Sequence, residues 1–121
     1  MSNEEFKKFD GGKLEWEMMP EEALEEVMKV LQFGANKYGK WNWLDNADEA
    51  EYTRIMNAIE RHFKKFKKGQ DLDEESSLRE LAHIIVNCLF LLQFQCLNVG
   101  IDNRRKNTVK IPYKRSLGEQ P

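Results

Sequence analysis

Residues 75–99, ESSLRELAHIIVNCLFLLQFQCLNV, decide the fold. Leu81, Ala82, Ile84, Ile85, Val86, Cys88, Leu89, Phe90 and Leu92 cover nearly every side of a helix drawn through this stretch. Such a helix must be covered from several directions, and Gly100 supplies its C-terminal stop. Its longest apolar run, residues 84–92, is broken by Asn87 and is too short to span a bilayer, so no membrane partner is expected.

Outward from this stretch, two further helices are predicted. The first starts at Pro20, with Glu21 and Glu22 in its first turn. It carries Leu24, Val27, Met28, Leu31, Ala35 and Tyr38 at helical spacing and stops at Gly39. The second runs over about residues 48–68, with Tyr52, Ile55, Ile59, His62, Phe63 and Phe66 as its apolar stripe. The fold class is therefore all-α, a small three-helix bundle within a single domain of residues 1–100. An irregular N-terminal segment precedes it, and an extended basic C-terminal tail, residues 101–121, follows. Residues 108–113, TVKIPY, could pair there as an edge strand. Three helices are too few to cover the third, so the core is expected to be completed by homo-oligomerisation.

A chain of 121 residues suits one domain, and 40% hydrophobic content suits a packed one. A formal net charge of −2 argues against a general nucleic-acid binder, although Arg104, Arg105, Lys106, Lys110, Lys114 and Arg115 make the tail basic. Cys88 and Cys96 would lie roughly 12 Å apart along one helix, beyond disulfide reach, and read as core thiols of a reducing compartment. The polar start, MSNEEFKKFD, has no signal-peptide character, and a cytoplasmic location is expected.

Glu80, His83 and Asn87 share one face of the apolar helix. Buried polar groups need partners, and a carboxylate one turn from an imidazole can ligate a divalent metal or meet a phosphate. The alternative is structural: Ser77-Leu78-Arg79-Glu80 fits a capping box, with His83 and Asn87 as satisfied core groups. On the first helix Glu22 and Glu26 stand one turn apart with Glu25 beside them, a spacing able to hold Mg²⁺ but equally suited to the helix dipole. His62 faces inward on the second helix.

Phe33-Gly34-Ala35-Asn36-Lys37-Tyr38-Gly39, followed by Asn42-Trp43, is the most distinctive local string. Gly34 costs a helix about 1 kcal/mol relative to alanine, which suggests close approach of a ligand or another helix. Lys37 can meet phosphate, and Tyr38 and Trp43 offer faces on which a base can stack, or they merely cap a small core. A second glycine-lysine turn, KFDGGK, places Lys13 beside amides that could cradle an anion, without Walker spacing.

KFDGGK, P-x-x-A-L-E-E-V, F-G-A-x-K-Y-G with N-W, R-H-F, G-x-D-x-D-x-E-S and L-A-H-x-x-x-N occur in this order over roughly residues 8–94. Together they resemble the phage-associated family called dATP/dGTP diphosphohydrolase, N-terminal, which is related to MazG-like nucleotide pyrophosphohydrolases. The resemblance implies a MazG-like bundle that hydrolyses purine (deoxy)nucleoside triphosphates to monophosphate and pyrophosphate with Mg²⁺, or Mn²⁺, as cofactor. In such enzymes E-x-x-E and E-x-x-D pairs bind the metal. Glu80-Leu81-Ala82-His83 occupies the second pattern here with histidine in place of aspartate.

On this reading Glu22, Glu26, Glu80 and His83 are the metal candidates, and His62 and Glu80 the catalytic ones. Lys13, Lys37, Tyr38, Asn42, Trp43, Arg61 and Asn87 would bind substrate. The incomplete acidic set supports an alternative, a non-catalytic phage protein that holds and sequesters a nucleotide or a nucleotide-derived defence signal.

Overall fold

The computed structural model describes residues 11–106 and 111–113. Two compact units divide the chain, Pro20–Lys106 and a smaller one formed by Met1–Met19 with Asn107–Pro121. In the smaller unit a turn at Gly11-Gly12 leads to a single 3₁₀ turn, Trp16–Met18, with Trp16 largely exposed. Residues 111–113 have no regular structure, and the rest of the expected edge strand lies outside the described residues.

The larger unit is all-α. It contains α1 (Glu21–Tyr38), the short α2 (Asn42–Asp45), α3 (Tyr52–Lys67) and α4 (Glu80–Leu97). Helix α4 packs against both α1 and α3. Arg79, just before α4, meets Glu26 in the second turn of α1, while Phe90 joins the cluster holding Val30, so these two helices run parallel. Tyr52 packs with Phe94 whereas His62 reaches Glu80, so α3 runs antiparallel to α4.

Two apolar clusters result. Val27 and Val30 of α1 close on Ala82 and Val86. Ala47 and Tyr52 close on Phe94, and Phe90 touches both groups. The inward face of α1 is turned from the one its sequence suggested: Leu24, Met28 and Tyr38 are exposed.

The helix limits differ from expectation for identifiable reasons. Residue Glu51 pairs in parallel with Ile101, with Tyr52 N–H donating to the Ile101 carbonyl at 2.9 Å, so the chain there is extended and α3 begins only at Tyr52. Gly100 permits this return. Its φ is +91°, and a Cβ on it would lie 3.1 Å from the Tyr52 ring. Helix α4 ends earlier, with Asn98 as a left-handed cap. Among the described residues, no neighbour lies within 4 Å of a Cβ placed on Gly34, and none of the described helices approaches it closely.

The outer side of α4 is bare. Leu81, Ile85, Leu89 and Leu92 are exposed, and so are Cys88 and Cys96, which are surface rather than core thiols. Among the described residues, this row is the apolar surface on which the expectation of subunit association rests. Length and composition alone would allow the full α4 to cross a bilayer, contrary to the shorter run read from sequence. Its first two turns, however, carry a wholly buried Glu80 and a half-buried His83 that are paired within the fold.

Candidate functional site

The site grows from the connection between α3 and α4. Leu72 and Arg79 form an antiparallel bridge, Asp73 N–H donates to the Leu78 carbonyl at 2.7 Å, and Ser77 N–H returns to the Asp73 carbonyl at 2.8 Å. Ser77 takes a left-handed conformation, φ +60°, which costs a non-glycine residue about 1 kcal/mol or more. Within this pinched loop the Asp73 carboxylate accepts from the Ser76 N–H at 2.9 Å and the Ser76 hydroxyl at 3.0 Å. Asp and Ser favour such side-chain-to-backbone turns over helix, which delays α4 to Glu80.

No capping box forms. Arg79 is the N-cap residue, and no side chain caps the helix. Glu80 instead reaches across to α3. It is 0% exposed, His62 Nδ1 lies 2.6 Å from its Oε1, and Gln70 Nε2 donates to Oε2 at 2.7 Å. The imidazoles of His62 and His83 stack, with centroids 4.6 Å apart and planes 8° from parallel. His83 Nε2 is 2.8 Å from the Ser76 hydroxyl.

Hydrogen-bond accounting assigns the protons. Burial opposes ionisation of Asp73, but the Ser76 donors and the two imidazoles outweigh it and hold the carboxyl below its usual range. As an ionised acceptor, Asp73 takes the single Ser76 hydroxyl proton. The Ser76 oxygen must then accept from His83 Nε2–H, which leaves Nδ1 unprotonated in the neutral ring. Burial first, and neighbouring His62 second, depress the His83 pKa and favour that neutral form.

Beside this cluster opens a cavity of about 520 Å³ whose lining includes His62, Asp73 and His83. Its apolar walls include the aromatic residues Phe33, Tyr38, Trp41, Trp43 and Phe90 beside the aliphatic Met28, Val30, Leu31 and Val86. Trp43 stacks on Phe90 at 4.7 Å. At the rim Lys37 pairs with Glu75 and lies 5.2 Å from the centre of the Tyr38 ring.

Of the residues singled out from sequence, Lys37, Tyr38, Asn42, Trp43, His62, His83 and Asn87 line this cavity, and Glu80 backs it through His62. Arg61 is exposed and absent from the lining, because a one-residue step turns the helix by about 100° away from His62. Lys13 belongs to the smaller unit.

Glu22 and Glu26 do not join Glu80 and His83. They line a second groove, of about 450 Å³, with Glu25, Lys29, Arg79, Leu81 and Ile85. There Lys29, at 2.9 Å, and Arg79, at 2.7 Å, neutralise Glu26 and hold its carboxyl below the usual value. Among the described residues, the group whose donor atoms converge within 4.8 Å is His62, Asp73 and Glu80.

Asp73, Gln70, Ser76, Phe33, Trp41 and Phe90 are site residues that the sequence reading assigned no role. The signal for Asp73 was present in the G-x-D-x-D-x-E-S string, but its neighbours Asp71, Glu74 and Glu75 are exposed acids of the same kind.

The family model described as dATP/dGTP diphosphohydrolase, N-terminal, matches residues 3–104. A protein of Salmonella phage PMBT28 named dATP/dGTP diphosphohydrolase is 32% identical over 98 residues, which cover 81% of this chain. The matched region spans 32% of that relative's own length. No solved structure gives a significant match. The chain therefore belongs to the dATP/dGTP diphosphohydrolase N-terminal family.

Proposed function

We propose that this domain binds a purine deoxynucleoside triphosphate and hydrolyses it, with a divalent metal, to the monophosphate and pyrophosphate. The observation that carries the reading is the continuity of an aromatic-walled cavity with a buried histidine-carboxylate cluster. Flat apolar walls suit a base, and Lys37 at the rim suits a phosphate. The name of the phage relative supports triphosphate chemistry.

The donor chemistry tests the metal. One imidazole and two carboxylates suit Mn²⁺ better than Mg²⁺, which prefers oxygen ligands alone. His62, Asp73 and Glu80 would hold the ion, replacing the set that included Glu22 and Glu26. When bound, it would supply charge neutralisation at the phosphoryl oxygens. The chain's own contribution is positioning: Glu80 orients His62, Ser76 fixes the His83 tautomer, and the aromatic walls exclude water from the base.

Purified protein with dATP or dGTP should release pyrophosphate in Mn²⁺ more readily than in Mg²⁺, and not in EDTA. Release no greater than that of a Glu80→Ala control would refute hydrolysis.

One observation favours a second reading, retention without cleavage. Both Glu80 oxygens and one Asp73 oxygen are already committed to donors within the protein. Intact nucleotide recovered from purified protein by mass spectrometry, together with no turnover, would select it.

A further inference from the structure

We infer that Asn87 forms a subsite for the 3′-hydroxyl of the nucleotide's sugar; this rests on the reading above that the cavity holds a nucleotide. Four residues of α4 line the cavity, His83, Val86, Asn87 and Phe90, and Asn87 is the polar one between His83 and Phe90. A rise of 1.5 Å per residue sets Asn87 about 6 Å beyond His83 and about 4.5 Å short of Phe90 along the axis. His83 belongs to the polar cluster and Phe90 to the Trp43 stack. A nucleotide with phosphates at the first and base at the second must lay its sugar across Asn87.

The amide is oriented for this task. Asn87 Nδ2 donates to the His83 carbonyl at 3.0 Å, one turn back along the helix. The reversed amide would set two acceptor oxygens against each other, so this contact decides which end is oxygen. Among the described residues, no group donates to Asn87 Oδ1. It is a half-buried acceptor on the cavity wall. A sugar hydroxyl is the donor that a nucleotide offers at this height. The 3′-hydroxyl is the one that a 2′-deoxynucleotide retains.

The structural alternative is that Asn87 only closes a hydrogen bond inside a buried helix. That role would affect all ligands equally. A subsite affects only ligands that carry the hydroxyl.

Binding of the α,β-methylene analogue of dATP and of its 2′,3′-dideoxy counterpart, measured by calorimetry on the full chain, separates the two. Wild-type protein should prefer the deoxy analogue by about tenfold, the worth of one well-placed hydrogen bond. In Asn87→Ala the deoxy analogue should weaken to the level of the dideoxy one, whose affinity stays unchanged. Asn87→Leu, which suits an apolar helix, repeats the measurement if the alanine variant does not fold. Equal wild-type affinities, or a preference that survives in the variants, would overturn the subsite. If the wild type binds neither analogue, the nucleotide reading itself fails, an outcome distinct from equal binding of both.

Discussion

Two sets of carboxylates stand at the two edges of the α4 N-terminus, and of the second set spacing singles out Glu80 alone. Glu22, Glu25 and Glu26 lie on the α1 side in a groove whose cations, Lys29 and Arg79, are already paired with Glu26. Asp73 and Glu80 lie on the α3 side, buried, with imidazole, amide and hydroxyl partners. Spacing shows which acids can meet. Burial and the chemistry of the partner decide what they can do when they meet. A carboxylate neutralised by lysine and arginine in solvent has little left to offer a ligand. One held by a histidine beside a cavity can orient chemistry there.

The largest effect should come from Glu80→Ala. It strands the His62 Nδ1–H and the Gln70 amide in the interior, at about 1–3 kcal/mol for each unsatisfied group. Chemical denaturation should show a loss of about 3 kcal/mol or more, and activity should fall by at least about a hundredfold. Glu80→Gln, which keeps the shape, should recover most of the stability and little of the activity. Equal recovery of both would mean that Glu80 is structural only.

Asp73→Asn should come next. Both Ser76 bonds reach one Asp73 oxygen, so the asparagine oxygen can keep them; its amide removes the negative charge and sets a donor where the other oxygen faces His62 and Lys65 at 4.0 Å. A cost of about 1–3 kcal/mol is expected. If melting is unchanged, the charge of Asp73 is not what stabilises the cluster.

The difference between the two edges also marks what was legible in the sequence. Periodicity located α1, α3 and α4, because each has a continuous apolar face and its stops are local. Polar residues on an otherwise apolar helix identified Glu80, His83 and Asn87 for the same reason. Asp73 escaped, since nothing in its immediate neighbours distinguishes it from Asp71 or Glu74. What buries it is a turn closed by the Leu72–Arg79 bridge and then covered by His62 from α3 and His83 from α4, a tertiary event. The capping-box reading of Glu80 failed at the same point. A local partner was available on paper, but His62 from another helix competes better for a buried carboxylate. Glu22 and Glu26, read as a metal pair from spacing and from the family resemblance, instead line a separate groove from Glu80 and His83.

Acidification from neutrality should act on the α3 edge first. His83 has a depressed pKa in the fold, so as pH drops through its ordinary value near 6.5 the unfolded chain takes up the proton first and stability falls. Asp73, also depressed, contributes stability above the usual carboxylate range that is lost only as pH falls through its lower folded value. Melts in EDTA should therefore decline in two steps, the first between pH 7 and the folded His83 value. His83→Gln should remove that first step and leave the second. A first step of undiminished size in this variant would assign it elsewhere.

The smallest effect should come from the α1 edge, and it sharpens the comparison most. Glu22→Gln and Glu26→Gln, singly or together, remove charge from side chains that face solvent. The Glu26 pairs with Lys29 and Arg79 are surface pairs, screened by water and salt. Thermal melting should move by no more than about 2 °C, and the shift should vanish in high salt. Pyrophosphate release and metal dependence should match the wild type. A loss of activity comparable to that of Glu80→Ala would mean that the two edges form one metal site, the arrangement that spacing first suggested. Intact activity in the double variant would confine the chemistry to the α3 edge, where a buried carboxylate and two stacked imidazoles share one cavity wall.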